Sequence, residues 1–350
     1  MSFDPKYMER ALQLAKNGLG SAAPNPAVGS VIVHDNCIIG EGYTSAYGGS
    51  HAEVNAINSV KDKRLLSEAI LYVTLEPCSH HGKTPPCADL ILKYKIPKVV
   101  IGILDPHDKV AGKGVKQLKN SGCTVVIGVL EKACMEHHRR FLTFHQKQRP
   151  YIILKWAQSN DGYIAPEKNK RGIKIQPYWI SNKYSRQLVH KWRSQEQAVL
   201  IGMRTVIDDN PKLNVRQWFG KSPIRIVIDK ELTFKGNHHI LDQSQKTIIF
   251  TAVEDKSQWM NGIDYELMDF TKIRAQQICD ALHKHNIMSL LIEGGAKTLQ
   301  SFIDAELWDE ARVVQGSANL GDGLKAPEFN GNTTQKIGVV ADILTIYQND

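Results

Sequence analysis

The chain has few cysteines and no long apolar run, and both absences narrow the possible classes of protein. Six cysteines scattered over 350 residues are too few for a disulfide framework. No stretch approaches the roughly 20 apolar residues that span a membrane, and the N-terminus lacks the apolar core and cleavage site of a secretory signal. We therefore expect a soluble cytoplasmic protein with two domains, because 350 residues exceed the usual length of one.

The excess of positive charge is small and uneven. The formal net charge is +8, and residues 1–149 contain 19 Lys and Arg against 13 Asp and Glu. A surplus of this size suits a phosphorylated substrate or RNA, but it is also typical of an ordinary soluble surface. Charge alone therefore selects no function.

The order of the apolar runs predicts two α/β domains. Strands and helices alternate as far as a helix that ends before Pro150, whose ring disfavours helix in the preceding residue. A second series of strands follows, so we predict domains at 1–148 and 149–350, each with a layered sheet covered by helices. Strands are predicted at VGSVIVHDNCIIGEGY (as a pair), AILYVTLE, KVVIGILD, CTVVIGVL, YIILKWAQS, AVLIG, IRIVID, KTIIFTA, SLLIEGG and ARVVQG, and helices from Asp4, near His51, and at 86–94, 113–120 and 131–150.

Two stretches of the first half contain a set of metal-ligand residues. GGSHAEVNAI at 48–57 is followed by YVTLEPCSHHGKTPPCADLIL at 72–92. A catalytic zinc takes three protein ligands and keeps one position open, and His51, Cys78 and Cys87 supply that number. Glu53, near a helix start, is placed to move protons during hydrolytic deamination. His-x-Glu followed by Pro-Cys and a second Cys is the signature of zinc nucleobase deaminases, although here eight residues separate the cysteines.

Two other interpretations of these residues stay open. The zinc could be structural, with a fourth ligand from His80 or His81, or the group could be a chance cluster of buried thiols. The remaining cysteines are predicted to be ordinary apolar residues of the core: Cys37, Cys123, Cys134 and Cys279.

EPCSHHGKTPPC, together with APNPAVGSVIV at 23–33, resembles the deaminase half of the bifunctional deaminase/reductase family of riboflavin biosynthesis. The resemblance covers roughly residues 5–145 and implies an N-terminal cytidine-deaminase-like α/β/α domain. It also implies that zinc is held by His51, Cys78 and Cys87 and that Glu53 is the proton shuttle. The residues that would contact a pyrimidinone carrying ribose phosphate are Asn25, His80, His81 and Lys83. Without the resemblance, Asn25 is equally well a turn residue between two prolines, and the others a solvated loop.

The second half contains no G-x-G-x-x-G after a strand, so it lacks a Rossmann fingerprint. Its one suggestive local feature is LLIEGGAKTL at 290–299, where a strand, two glycines and a helix could present backbone N–H groups to a phosphate. By itself this pattern is more often a turn.

LKWAQSNDGYIA, WISN, TVIDDNPKLNVR and IEGG occur in the order seen in the reductase half of the same family. The resemblance implies a C-terminal dihydrofolate-reductase-like α/β domain that uses NADPH. It places these residues against NADPH: Ala157, Trp179, Thr205, Asp209, Gly295, Ala296, Lys297, Thr298, Leu299, Gln300 and Ser301. It places these around the ribose phosphate: Lys155, Arg193, Leu213, Arg216 and Glu293. Taken singly, each also has an ordinary structural interpretation, such as a solvated arginine or a core aromatic ring.

Several positions depart from the family pattern. Asn160 replaces an apolar residue, Asn210 replaces the second acid of Asp-Asp-Pro, and Lys230 replaces a small hydroxyl residue. The loop 165–178 is longer than usual, which leaves one substrate contact before Trp179 unassigned. Arg204 is a candidate for reading the 2′-phosphate of NADPH.

These observations predict a bifunctional enzyme of riboflavin biosynthesis. The first domain would deaminate 2,5-diamino-6-ribosylamino-4(3H)-pyrimidinone 5′-phosphate with zinc, and the second would reduce the ribosyl group with NADPH. The family resemblance further implies a homo-oligomer, a dimer or tetramer joined through the reductase domain, with no nucleic-acid or membrane partner. A tRNA or free-base deaminase with an accessory domain is the rival enzyme, and would bind RNA in a salt-dependent way. A regulatory module with structural zinc is the rival from another class.

Overall fold

A computed structural model describes residues 3–79, 85–106, 112–167, 177–233 and 237–349. The chain divides into two compact units, Met1–Gln148 and Arg149–Asp350. The predicted substrate residues His80, His81 and Lys83, and most of the predicted long loop 165–178, lie outside the described residues. None of the described helices is long and apolar enough to cross a lipid bilayer.

The first unit is a mixed sheet covered by helices. Its described strands form one sheet in the order β2-β1-β3-β4-β5, with β1 antiparallel to both neighbours and β3, β4 and β5 parallel. Its elements are α1 (Pro5–Ala15), β1 (Gly29–His34), β2 (Cys37–Tyr43), α2 (Ala52–Ser59), β3 (Ile70–Leu75), α3 (Cys87–Lys93), β4 (Lys98–Ile103), α4 (Lys113–Asn120), β5 (Thr124–Ile127) and α5 (Glu131–Lys147).

Local sequence signals account for these elements. The Asp4 side chain accepts a hydrogen bond from the Lys6 backbone N–H and so caps α1. The turn between β1 and β2 has φ of 48° at Asp35 and 58° at Asn36, residue types that tolerate this conformation. The helix predicted from Asp4 and the predicted strand pair are therefore both confirmed. The close packing of α1 on the sheet requires glycine at position 29, where a Cβ atom would lie 1.9 Å from the Ala11 carbonyl oxygen.

The second unit is built on a large, mostly parallel sheet. The order of its described strands is β11-β10-β9-β8-β12-β6-β13-β16-β15, parallel from β11 to β13 and antiparallel beyond it. Its elements are β6 (Tyr151–Gln158), β7 (Tyr163–Ala165), α6 (Lys183–Gln195), β8 (Ala198–Gly202), α7 (Met203–Asp209), β9 (Ile224–Ile228), β10 (Thr247–Thr251), β11 (Asp264–Leu267), α8 (Arg274–Lys284), β12 (Ser289–Gly294), α9 (Ala296–Asp304), β13 (Glu310–Gln315), β14 (Leu324–Lys325), β15 (Asn332–Val339) and β16 (Asp342–Gln348).

The predicted strands and helices of both units are present, but one prediction about the cores is wrong. Cys123, Cys134 and Cys279 are buried as expected, whereas Cys37 is exposed. Cys37 is the first residue after the β1–β2 turn and begins the edge strand β2, whose first two residues are exposed. An apolar residue type at a strand end therefore does not imply burial.

Candidate active sites

The first site is formed where β3 ends and two helices begin. His51 is the N-cap residue of α2, Cys78 follows β3, and Cys87 is the first residue of α3. Nδ1 of His51 lies 3.6 Å from Sγ of Cys78 and 3.3 Å from Sγ of Cys87. The structure thus brings together the three predicted ligands, and they are the group of His, Cys and acidic residues that could hold a metal ion within the described part of the chain.

The three ligand atoms fit a zinc ion. They all lie within 4.8 Å of one another. Zinc–sulfur bonds of about 2.3 Å and zinc–nitrogen bonds of about 2.0 Å, at tetrahedral angles, put the ligand atoms roughly 3.5 Å apart. The Cys87 thiol and backbone N–H, with His51, lower the pKa of Cys78 to about 4, whereas the pKa of Cys87 is raised by Cys78 and by burial. One thiolate is therefore present at neutral pH, and thiolate sulfur is the form that binds metal.

Glu53 lies in the first turn of α2, beside this ligand set. Its side chain is only 4% exposed and forms a hydrogen bond with the Cys87 side chain. Burial, helped by the negative charge of Cys78, raises the pKa of Glu53 to about 7. The sequence spacing predicted this position, because residue 53 lies half a turn beyond the N-cap ligand.

Asn25 lies in a loop between α1 and β1. The loop is closed by a hydrogen bond from the Asn25 backbone N–H to the Ala22 carbonyl oxygen, at 3.0 Å. Among the described residues, no side-chain hydrogen bond joins Asn25 to His51, Cys78 or Cys87. The other three residues predicted to bind substrate lie outside the described ranges.

Glu76 is a residue of this region that the sequence reasoning missed. Its carboxylate is 4% exposed and accepts backbone N–H groups of Asp105, Gly112 and Val115 at 3.0–3.2 Å. The same segment is packed so closely that a Cβ atom on Gly114 would lie 2.1 Å from the Pro77 carbonyl oxygen. Glu76 and Gly114 therefore fix the backbone immediately before Cys78. The only signal in the sequence for this role of Glu76 is its position two residues before Cys78.

The second unit brings two helix starts together at the ends of β8 and β12. A Cβ atom on Gly202 would lie 2.7 Å from Thr298 Oγ1, and one on Gly294 would lie 3.4 Å from Thr205 Oγ1. Gly295 has φ of 79°, which favours glycine. Thr205 and the start of α9, both predicted to line NADPH, are therefore neighbours, and the first turn of α9 offers backbone N–H groups to a phosphate.

A buried ion pair lies close to these strand ends. Arg193 on α6 donates from Nε to Glu293 Oε1 at 2.5 Å and from Nη2 to Oε2 at 2.7 Å, and both side chains are at most 11% exposed. Burial lowers the pKa of Lys155, which interacts with both charges. Burial works to raise the pKa of Glu293, but Arg193 and Lys155 outweigh it and the pKa lies below its ordinary value.

His190 lies next to this charged group, and the sequence analysis did not predict it. It lies three residues before Arg193 on α6, and its Nδ1 accepts the backbone N–H of Arg216 at 3.3 Å. The side chain of Arg216 is exposed and donates to Asn214 Oδ1 at 3.0 Å. Burial, with Arg193 and Arg216, lowers the pKa of His190 to about 4, so the imidazole is neutral at neutral pH. The i, i+3 spacing to Arg193 was the available signal.

The other predicted residues of the second unit have varied surroundings. The ring of Trp179, 55% exposed, lies 4.6 Å from the guanidinium of Arg186. Leu213 has φ of 54° and its side chain is in the core. The remaining predicted residues occupy these positions: Ala157 near the end of β6, Asp209 at the end of α7, and Ala296, Lys297, Thr298, Leu299, Gln300 and Ser301 in the first two turns of α9, where the Leu299 side chain is buried.

Two of the departures from the family pattern have a local explanation. Asn160 donates to Asn319 Oδ1 and accepts from Gln315 Nε2, both at 3.1 Å, which joins the S-x-D-G turn to the end of β13. Asn210 ends α7 with φ of 41°, a conformation that asparagine tolerates. Nothing in the structure explains Lys230.

Arg204, the candidate for reading a 2′-phosphate, is on the exposed surface of α7. Its Nε lies 3.0 Å from the Asp208 carboxylate. Arg204 is 55% exposed, so this pair is weak and a phosphate could compete for the guanidinium.

Two family models match the chain, one within each unit. The model for the RibD C-terminal domain matches residues 150–343. The model for the cytidine and deoxycytidylate deaminase zinc-binding region matches residues 1–103.

Known proteins match nearly the whole chain. The riboflavin biosynthesis protein RibD of Aquifex aeolicus is 39% identical over 92% of this chain and 89% of its own, and that of Actinobacillus pleuropneumoniae is 40% identical over 95% and 89%. The structure of a diaminohydroxyphosphoribosylaminopyrimidine deaminase/5-amino-6-(5-phosphoribosylamino)uracil reductase from Thermotoga maritima superposes with a TM-score of 0.89, at 35% identity over 99% of this chain and 98% of that one. Acinetobacter baumannii RibD gives 0.88, at 32% identity over 98% of both. The predicted fold class, a deaminase-like domain followed by a reductase domain, is confirmed.

Proposed function

Because the chain belongs to the RibD family, we propose that its two units, 1–148 and 149–350, carry out two consecutive steps on one phosphorylated pyrimidine. The protein is a bifunctional deaminase and reductase of riboflavin biosynthesis with a zinc-binding deaminase domain. The observation that carries the assignment of the first unit is the convergence of His51, Cys78 and Cys87 beside a buried carboxylate.

The proposed first step is hydrolytic deamination of 2,5-diamino-6-ribosylamino-4(3H)-pyrimidinone 5′-phosphate at C2. Zinc held by the three ligands would supply a Lewis acid that lowers the pKa of water to about 7. Glu53 takes a proton from the attacking water and delivers it to the amine at C2, which leaves as ammonia. Asn25 reads the base edge with its amide, and His80, His81 and Lys83 contact the ribose phosphate.

The proposed second step reduces 5-amino-6-(5-phosphoribosylamino)uracil to the ribitylamino product. C1′ carries four bonds in the closed ring, so its bond to the ring oxygen breaks as C1′ receives the hydride that bound NADPH would supply. The ring oxygen takes up one proton as the sugar ring opens, and Lys155 and Asp209 are the proposed donors. Arg216 offers a forked donor to the phosphate, while Glu293 fixes the orientation of Arg193.

The cofactor is proposed to lie across the two adjoining helix starts. Gly295 and the following residues of α9 as far as Ser301 adjoin its phosphates, to which Ala296 and Lys297 supply backbone N–H groups and Thr205 and Thr298 supply hydroxyls. Ala157, Trp179 and Asp209 line the remainder, and Arg204 binds the 2′-phosphate. In Arg204→Ala, the preference for NADPH over NADH should fall; an unchanged ratio of kcat/KM values would exclude this role.

We also propose a cytoplasmic homo-oligomer, a dimer or tetramer joined through the reductase unit. In support, β15 is an edge strand whose residues 332–338 are exposed on both faces. Ile337 and Val340, in this hairpin, are 37% and 78% exposed. Unprotected edge strands of this length commonly pair with another chain.

The proton-transfer role is tested with Glu53→Gln. The variant should retain one zinc per chain and lose ammonia release, because an amide keeps the shape but cannot carry the proton. Reductase activity on the deaminated ribosyl substrate should be unchanged and serves as the control for the integrity of the chain. Ammonia release at the wild-type rate would contradict the role of Glu53, and an intact ligand set with no turnover in the wild type would favour a structural zinc.

A further inference from the structure

His137 connects α5 to the loop that contains Asn25. Its Nε2 lies 2.7 Å from the carbonyl oxygen of Ala27, although the two residues are 110 positions apart in sequence. A carbonyl oxygen only accepts hydrogen bonds, so Nε2 of His137 carries the proton and donates it. Nothing in the sequence motifs pointed to this residue.

The loop needs a donor from outside because it has few of its own. Pro24 and Pro26 flank Asn25 and lack backbone N–H groups, so this segment presents mainly carbonyl oxygens. Beyond the internal bond from Asn25 to Ala22, the backbone N–H of Val28 is shared between the Pro26 carbonyl oxygen at 3.1 Å and Thr44 Oγ1 at 2.9 Å. The bond from His137 to Ala27 lies between these two points, two residues from Asn25.

The neighbouring histidine fixes the chain immediately beyond the loop. Nε2 of His138 lies 3.0 Å from Thr74 Oγ1, which accepts the backbone N–H of Gly29 at 3.2 Å. His138 is 2% exposed, and Thr74 lies in β3, four residues before Cys78. Two adjacent residues of α5 thus hold the end of the loop, His137 through Ala27 and His138 through Thr74 of β3, the strand that precedes Cys78.

The imidazole of His137 is suited to a fixed, neutral hydrogen bond. Burial, with the nearby charges of Arg140, Lys16 and Arg139, lowers its pKa to about 4. The imidazole of His137 is therefore neutral at neutral pH, and a neutral donor needs no negatively charged partner.

We propose that His137 is a positioning residue of the deaminase site, which sets the loop of Asn25 through the Ala27 carbonyl so that the amide of Asn25 meets the pyrimidinone ring. This inference rests on the proposed function, in which Asn25 contacts the base. His137 itself touches no reacting atom. It acts on substrate binding through the backbone, which predicts an effect on KM rather than on zinc or on the chemical step.

The test compares His137→Ala, His137→Gln and Asn25→Ala with the wild type in ammonia release from the diaminopyrimidinone ribosyl phosphate. His137→Ala leaves the Ala27 carbonyl without its donor and should raise KM about tenfold, with kcat within twofold. His137→Gln keeps an N–H donor at a similar distance and should restore KM to within about threefold. Met135→Ala, half exposed on the same helix, is the matched control and should leave KM unchanged.

A double-mutant cycle separates positioning from simple stabilisation. If His137 acts through Asn25, the double variant should be no more than about twofold worse than Asn25→Ala alone. Zinc content and reductase kcat/KM should stay at wild-type values in every variant. Additive effects, a loss in kcat with KM unchanged, or no rescue by Gln would overturn the inference alone. Absence of ammonia release by the wild type would overturn the proposed function and this inference with it.

Discussion

Glu293 is the counter-charge of a buried cationic group, so its removal gives the sharpest test of the second site. It accepts two hydrogen bonds from Arg193 and interacts with Lys155. Its side chain is 6% exposed. In Glu293→Gln the shape is kept, but two cations remain in the protein interior without an anion between them.

The expected cost follows from this arrangement. Removing one partner of a buried ion pair typically costs about 3–5 kcal/mol, because the other charge stays buried and uncompensated. Here Lys155 can release its proton, which limits the penalty, so we expect a loss of about 3 kcal/mol in the free energy of unfolding of the second unit at pH 7. Arg193→Met combined with Glu293→Gln removes both partners and should cost only about 1–2 kcal/mol.

Tryptophan fluorescence during urea unfolding measures this unit selectively, because all six tryptophans follow residue 150. Asp264→Asn, which breaks the exposed pair with Lys246, is the control and should cost less than about 1 kcal/mol. The folded-state pKa of Glu293 is depressed, so its stabilisation is complete above about 4.5 and is lost as the pH falls below that value. A Glu293→Gln variant as stable as the control, or a difference independent of pH down to 4, would refute the reasoning.

Two further predictions concern a buried histidine and a close backbone contact. The pKa of His190 is about 4 in the folded state against 6.5 ordinarily, so the second unit should lose stability as the pH falls from 6.5 towards 4. In urea titrations, His190→Gln should make the free energy of unfolding less dependent on pH over this range. An unchanged pH dependence would contradict the burial of a neutral imidazole. Gly114→Ala should displace the Pro77 carbonyl next to Cys78, so the variant should lose zinc to a competing chelator more readily than the wild type. Gly338→Ala, with no atom within 4 Å of the added methyl, is the control and should retain zinc like the wild type. Equal retention by the two variants would show that the Gly114–Pro77 contact does not position Cys78.

The strands predicted from the sequence are those with continuous apolar runs. β3, β4 and β12 are buried along most of their length, so burial and composition agree. β15 was missed because its residues 332–338 are exposed, and a strand without a buried face has no apolar period to detect. β11 was missed because two of its four residues, Asp264 and Glu266, are acidic, whereas the equally short and equally exposed β5 contains the apolar run VVI.

The cluster of His51, Cys78 and Cys87 could be predicted because these residue types are rare and closely spaced. The supporting residues could not, because they act through the backbone of distant segments. Glu76 binds N–H groups 29 to 39 positions away, and His137 binds a carbonyl oxygen 110 positions away. Such contacts place no constraint on side-chain type at the far end, so no pattern in the sequence records them. Cys37 shows the converse, an apolar residue type whose position on an edge strand leaves it exposed.

The most direct test of two active sites in one chain is mass spectrometry of the products formed from 2,5-diamino-6-ribosylamino-4(3H)-pyrimidinone 5′-phosphate by the zinc-loaded protein, with and without NADPH. We predict the deaminated ribosyl product without NADPH and the ribityl product only when NADPH is added. Ribityl product without NADPH, or no deaminated product in either reaction, would contradict the assignment of the two units.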